Sequence, residues 1–142
     1  MTLFLLDTTT VSDYLKRNRL IVSKILKTNP NNIYICAISK YEISYGLHKK
    51  PSLIPEFSKQ LKEFYRLTND LPFTSTIAEI AGEIANNLKI KGQPIGVPDV
   101  LIAATAIHDN LTLVTSNKKH FERIESLKII DWKTDRDTSR GN

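Results

Sequence analysis

The sequence predicts an α/β fold: a mainly parallel sheet of about four to five strands flanked by helices. Three observations carry this expectation. Short continuous apolar runs closed by turn residues recur along the chain and read as strands buried on both faces. Segments of helical period separate them, the alternation that a parallel sheet with crossover helices produces. The length, 142 residues, fits one domain, and at this size roughly 68–70% of the unfolded surface is buried on folding without staples.

The elements follow in order. Leu3-Phe4-Leu5-Leu6 is the first strand, closed by Asp7-Thr8-Thr9-Thr10. A helix follows through Tyr14 and Leu15, and another covers Leu20 to Leu26 until Asn29-Pro30-Asn31-Asn32 stops it. Ile33 to Ala37 is rich in β-formers and makes the second strand. Ser39 can cap a helix running through Leu47, with Glu42 at its third position as in a capping box. Pro51 ends that helix. Ile54, Phe57, Leu61, Phe64 and Leu67 share one helical face, and Leu71-Pro72-Phe73 is a brief extended piece. Ile77, Ile80, Ala81, Ile84, Ala85 and Leu88 form an amphipathic stripe that Gly92 closes. Pro98 suits a helix start, and Val100 to His108 continues it. Leu111 to Val114 is a strand, a short helix lies near Phe121, and Leu127 to Ile130 is the last strand. Lys133 to Asn142 has no large apolar residue, so the domain is set at residues 1–132 and a flexible C-terminal tail at 133–142.

Composition narrows the class. Cys36 has no second cysteine to pair with, which excludes a disulfide framework within the chain. One Cys and three His, far apart in sequence, speak against a structural zinc site. No run reaches the ~18 apolar residues of a membrane span. Residues 3–6 are too short for a signal-peptide core and follow no basic residue, so the expectation is a soluble, cytoplasmic protein with no membrane partner. The formal net charge is +5. It sits in the first half, where residues 1–71 carry 11 Lys and Arg against 6 Asp and Glu. A positive excess favours nucleic acid or an acidic partner. Tyr34, Tyr41, Tyr45, Phe57 and Phe64 follow core faces, and they read as core or dimer surface rather than as base-stacking platforms.

In open α/β sheets, ligands bind beyond the carboxyl ends of the strands. Asp7 follows the first strand, Glu42 lies in the helix after the second, Asp99 opens the helix at Pro98, and Asn117 follows Thr115-Ser116. Four oxygen-bearing side chains thus converge on one rim. Each also has a plain structural role available: Asp7 and Asn117 as helix caps, Glu42 in a capping box, Asp99 against a helix dipole. The chain has no G-x-G-x-x-G, no G-x-x-x-x-G-K-[ST] and no G-x-S-x-G, which removes the dinucleotide, P-loop and serine-hydrolase readings. Carboxylates and an amide are the hard oxygen ligands that Mg²⁺ or Mn²⁺ prefers. A cation so held acidifies a water and braces a phosphoryl oxygen, which with a basic surface points to phosphodiester cleavage.

The motifs Leu5-Leu6-Asp7-Thr8-Thr9-Thr10-Val11-Ser12, Tyr41-Glu42-Ile43-Ser44-Tyr45-Gly46, Ile95-Gly96-Val97-Pro98-Asp99-Val100-Leu101-Ile102-Ala103-Ala104 and Leu113-Val114-Thr115-Ser116-Asn117 come in the order and spacing of PIN-domain toxins of the VapC type. The chain resembles that family over roughly residues 3 to 132. The resemblance implies a PIN-like fold and a Mg²⁺/Mn²⁺-dependent endoribonuclease whose cut leaves a 5′-phosphate and a 3′-hydroxyl. It implies a structured substrate such as tRNA, a homodimer, and a hetero-oligomer with a cognate VapB-type antitoxin. Operator DNA is then reached only through the antitoxin. Carried over by position, Asp7, Glu42 and Asp99 match the acidic metal-binding positions, and Asn117 matches the fourth. Thr9 stands where relatives often carry Asn, and His120 where Asp or Glu is common. Thr9, Ser12 and Thr115 are candidates to support the site by hydrogen bonding, and Lys118 and Lys119 to meet RNA phosphates. Two alternatives stand beside this reading. One is an inert PIN-like module that binds an antitoxin and co-regulates its operon. The other is a haloacid-dehalogenase-like phosphatase with Asp7 as nucleophile, in which Thr9 would replace the general acid.

Overall fold

A computed structural model of the protein describes residues 1–134. Five strands run parallel in the order β3-β2-β1-β4-β5. They are β1 (Phe4–Leu6), β2 (Ile33–Cys36), β3 (Asn69–Leu71), β4 (Thr112–Val114) and β5 (Lys128–Ile130). The central strands are apolar on both faces because both faces are covered. Leu5 and Leu113 are fully buried towards α5 (Ser75–Ile90) and α6 (Val97–His108), within a cluster that includes Ile77, Leu88 and Ile102. Their neighbours Leu6 and Val114 point the opposite way, into a cluster with Val11, Ile21, Phe64 and Trp132. That second layer is built by α1 (Thr8–Leu15), α2 (Arg19–Lys27) and α4 (Leu53–Leu67). The switch of face from one residue to the next is the period of a strand.

The remaining helices are α3 (Ala37–Lys49), which leaves the end of β2, and the four-residue α7 (Lys118–Phe121), which follows β4. Helix α3 starts two residues before the expected cap. Cys36 holds the capping position without a side-chain bond, and Ser39 lies inside the helix with no exposed surface. Ser39 and Glu42 therefore form no capping box; both side chains are engaged with Thr8 instead. The extended piece expected at residues 71–73 is displaced to Asn69–Leu71, where it pairs with β2 as an edge strand, Tyr34 opposite Asn69. Edge strands tolerate the polar Asn and Asp that hid it from a hydrophobic reading.

Ile77, Ala81 and Ile84 of α5 are buried within the chain, so that apolar face packs on the sheet and is not left for a two-fold partner. On α4, Phe64 is buried and stacks on Tyr14 with ring centroids 4.5 Å apart, whereas Leu67 is exposed. Of the expected tail, residues 135–142 lie outside the described residues, and Lys133 is tied to Asp13 of α1 at 2.6 Å.

The carbonyl oxygen of Val114 accepts from the Asp7 amide at 3.1 Å and from the buried Thr10 hydroxyl at 3.1 Å. Replacing Thr10 by Val keeps the shape and removes the second bond. The expected cost is about 1 kcal/mol, the usual net value of such a bond. A urea midpoint shift at unchanged slope checks it.

Candidate active site

The strand order reverses between β1 and β4, so the carboxyl ends of these two neighbours open a crevice where the chain departs in different directions. Asp7 leaves β1 into this crevice. Its extended backbone makes it the cap of α1, and its Oδ1 accepts from the Thr10 amide at 2.8 Å. The carboxyl is almost wholly buried, and burial pushes it above the usual carboxylate range, against hydrogen bonds from Thr10 and Thr115. Asp7 is thus both a cap and a carboxylate whose charge is poorly solvated. These two roles are not alternatives here.

Asp99 sits in the first turn of α6, just after Pro98. Half-burial raises its carboxyl first, and the charges of Asp7 and Glu42 raise it further, while His120 pulls it down. Asp7, Glu42 and His120 thus lie near enough to Asp99 for their charges to bear on it. Glu42 comes from α3, with its Oε1 accepting from the Thr8 hydroxyl at 2.5 Å. Thr8 has a single hydroxyl proton, which it donates to the carboxylate; the Ser39 hydroxyl oxygen stands 3.2 Å from Thr8 Oγ1. Asn117 heads α7 but does not cap it with its side chain; its Nδ2 lies 2.7 Å from Nδ1 of His120. The Asn117 amide donates to Thr115 Oγ1 at 2.9 Å, so Thr115 links Asp7 to Asn117.

The supporting residues sort differently from the sequence reading. Thr115 accepts from the Asn117 backbone amide and lowers the Asp7 carboxyl. Thr9 is exposed and makes no side-chain hydrogen bond among the described residues, and Thr8 takes the supporting role instead. Ser12 lines a groove of about 290 Å³ together with Thr8, Glu42, Lys49 and Phe57, without bonding a carboxylate. The signal for Thr8 was present: Asp7 as cap makes Thr8 the first helical residue, one turn from Ser12 on the same face. Lys118 is half-buried and Lys119 exposed at the start of α7. A larger apolar hollow of about 570 Å³ between α5 and α6 is lined by Ala78, Gly82, Ala85, Ile95 and Val97, and holds none of these groups.

Among the described residues, no three His, Cys, Asp or Glu side chains close into a ready-made metal cage. Asp7 accepts from the Thr10 amide and Glu42 from the Thr8 hydroxyl. The donor set still fits a hard divalent cation. It is made of carboxylate oxygens, and at Asp7 and Asp99 the charged form is disfavoured by burial, a burden a cation would relieve.

This geometry on this sheet is that of a known class: the chain belongs to the PIN-domain family, whose model matches residues 4–127. Within that class it is similar to the VapC proteins. It is 33% identical to the tRNA(fMet)-specific endonuclease VapC of Salmonella typhimurium, over 91% of this chain and 97% of the relative. A chain of the VapBC2 complex of Rickettsia felis, solved with a fragment of promoter DNA, superposes with a TM-score of 0.84. That match has 30% identity and covers 92% of this chain and 99% of the other. The DNA-bound VapBC complex of Salmonella typhimurium matches with a TM-score of 0.83 at 32% identity, over 93% and 99% of the two chains. A family match over these residues leaves no support for the dehalogenase-like alternative.

The raised carboxyls have a definite sign. Their folded pKa lies above the unfolded value, so the native state takes up the proton first as pH falls. Ionisation of Asp7 and Asp99 therefore weighs on metal-free stability at neutral pH, and that weight lifts as pH falls through the raised values towards the ordinary carboxylate range. Asp7→Asn keeps a capping oxygen, since Asn caps as well as Asp. Metal-free Asp7→Asn and Asp99→Asn are expected to melt at or above the wild-type temperature at pH 7. Their advantage should shrink on acidification, as read by calorimetry between about pH 7 and 4.

Proposed function

We propose that this chain is the toxin of a type II toxin–antitoxin pair, an endoribonuclease that cuts RNA phosphodiester bonds with the help of Mg²⁺ or Mn²⁺. The reading is carried by the family match together with the placement of Asp7 at the end of β1, Glu42 on α3 and Asp99 in the first turn of α6 around the crevice of a PIN sheet. Asp7, Glu42 and Asp99 would hold the cation, which when bound supplies an acidified water and charge against a phosphoryl oxygen. The chain's own groups do the positioning. The Thr10 amide fixes Asp7 through its Oδ1, Thr8 orients Glu42, and Thr115 joins Asp7 to the Asn117 backbone. Asn117 and His120, in contact at the rim, face the substrate side, with Lys118 and Lys119 beside them to meet phosphates.

A structured RNA such as tRNA is the substrate class; the Salmonella relative is named for a tRNA. Such RNAs are recognised by shape and by unpaired bases rather than by a groove code. The partner is a VapB-type antitoxin, as in the matched complexes, and promoter DNA is reached through it. An antitoxin arginine suits the acidic cleft, because its planar fork pairs bidentately with carboxylates. The free toxin acts as a homodimer, C₂ pairing being the commonest assembly. Among the described residues no helix is long and apolar enough to cross a membrane.

Sequencing the ends of RNA cut by antitoxin-free protein tests the reading directly. Asp99→Asn is expected to lose cleavage by at least ~100-fold and to show a smaller Mn²⁺-induced rise in melting temperature than wild type. Wild-type cleavage with an undiminished Mn²⁺ shift would remove Asp99 from the site. Co-expression with the adjacent small open reading frame is expected to give a tight complex without activity; full activity of that complex would count against the toxin–antitoxin assignment.

A further inference from the structure

Helix α3 carries Glu42 into the cleft, and its neighbouring face carries two aromatic rings that the core does not use. Tyr41 is 64% exposed and Tyr45 57% exposed, so of the two places expected for them, core or dimer surface, the core is ruled out. Spaced four residues apart on a helix, the rings lie one turn from each other. Their planes are within 16° of parallel and their centroids 6.3 Å apart. Lys49, one further turn along, places its ammonium 5.4 Å from the centre of the Tyr45 ring. Lys49 also lines the groove that contains Glu42. Tyr41, Tyr45 and Lys49 thus form one stripe, aromatic, aromatic and cationic, on the helix that carries Glu42, and its cationic end lines a groove shared by Glu42, Lys16 and Lys50.

We propose that Tyr41 and Tyr45 are a stacking platform for unpaired bases of the RNA next to the scissile phosphate, with Lys49 holding the intervening backbone. The inference rests on the ribonuclease reading above and adds where the RNA lies. Every base has a flat π-face, so exposed rings beside a cation bind single strands with little regard to sequence. A paired base keeps its faces inside the helix stack and cannot use them. The platform therefore selects loops and unpaired ends, and it sets the cut within about one nucleotide of the clamped base, because Glu42 and Tyr45 are one turn apart on α3. A second copy of the chain is the competing occupant. The composition of the face argues for RNA: on α3 the two tyrosines are the only exposed large apolar side chains, and His48, Lys49 and Lys50 follow them without an exposed aliphatic. A chain half carrying the whole net positive charge agrees with a polyanion.

The test is fluorescence anisotropy of a labelled single-stranded oligoribonucleotide and of the same sequence as a duplex, with chelator present so that nothing is cut. It uses wild type, Tyr41→Ala, Tyr45→Ala, the two Phe variants and Lys49→Ala, with light scattering and melting curves on each. Each Ala variant is expected to weaken single-strand binding by about tenfold, as loss of one base–aromatic stack does, with duplex binding little changed. Each Phe variant should bind like wild type, since the ring remains. Lys49→Ala should lower the slope of affinity against salt by about one, whereas the Tyr→Ala slopes stay the same. If wild type cleaves RNA and both Ala variants bind single strands normally, the platform is wrong and the ribonuclease reading stands. If the Ala variants bind normally but turn a dimer into a monomer, the face belongs to a second copy, which overturns the proposal. Wild type that neither binds nor cuts RNA with divalent metal restored would take the ribonuclease reading down, and this inference with it.

Discussion

The carbonyl oxygen of Val114 receives two donors, the Asp7 amide and the Thr10 hydroxyl, at the point where β1 ends and α1 begins. The first bond continues the ladder between the central strands; the second anchors a helix to the strand beside its own. Together they oblige α1 to leave the sheet in one direction, and that direction sets the rest of the cleft. Asp7 is held at the cap, Thr8 is turned towards Glu42, and Ser12 falls into the groove below. Thr115, the next residue after Val114, then stands close enough to Asp7 to bond it. A shift of one residue in the pairing of β1 with β4 would move Leu6 and Val114 to the opposite face and undo both the core and the cleft.

What the fold concentrates in this way is unfavourable in isolation. Burial acts against Asp7 and Asp99, and the carboxylates act against one another. His120 offsets part of this at Asp99. The neutral supports, Thr8, Thr10 and Thr115, are hydroxyls and an amide that fix orientation without cancelling charge. An arginine or lysine in their place would have made a quieter interior and a worse receiver for cations. The structure leaves much of this charge uncompensated and lets hydrogen bonds from neutral groups carry the positional order, the condition that the proposed cation would relieve.

The sequence was most readable where one physical rule dominated. Strands β1, β2 and β4 are buried on both faces, so hydrophobicity alone marked them; α5 showed its stripe because only one side is buried. The rim position of Asp7, Glu42, Asp99 and Asn117 followed from strand–helix order without any distance. Legibility failed where two rules competed. Ser39 and Glu42 have the spacing of a capping box, but a helix that begins at Ala37 turns both inward to Thr8. Among three consecutive threonines, the family pattern drew attention to Thr9, while helix geometry gave the work to Thr8 and Thr10. Strand β3 was obscured because Asn69 and Asp70 are polar, although Asn69 also bonds back to the Asn31 and Ile33 carbonyls. For Tyr41 and Tyr45 the spacing leaves core and dimer surface both open, because it cannot tell a buried face from an adjacent exposed one, and both rings are exposed.

The ion pair between Lys133 and Asp13 has a reach beyond the two residues it joins. Asp13 is one of the charges that bear on Asp7, and its own partner comes from just past the last strand and the buried Trp132. Lys133, just past β5, thereby bears indirectly on Asp7 through Asp13, the smallest of the influences on that carboxyl. A chain cut after Trp132, or an acidic extension fused there, would leave Asp13 negative and unaccompanied and make the Asp7 carboxylate dearer to ionise. A basic extension would act in the opposite sense, and both effects are small beside the burial that dominates at Asp7.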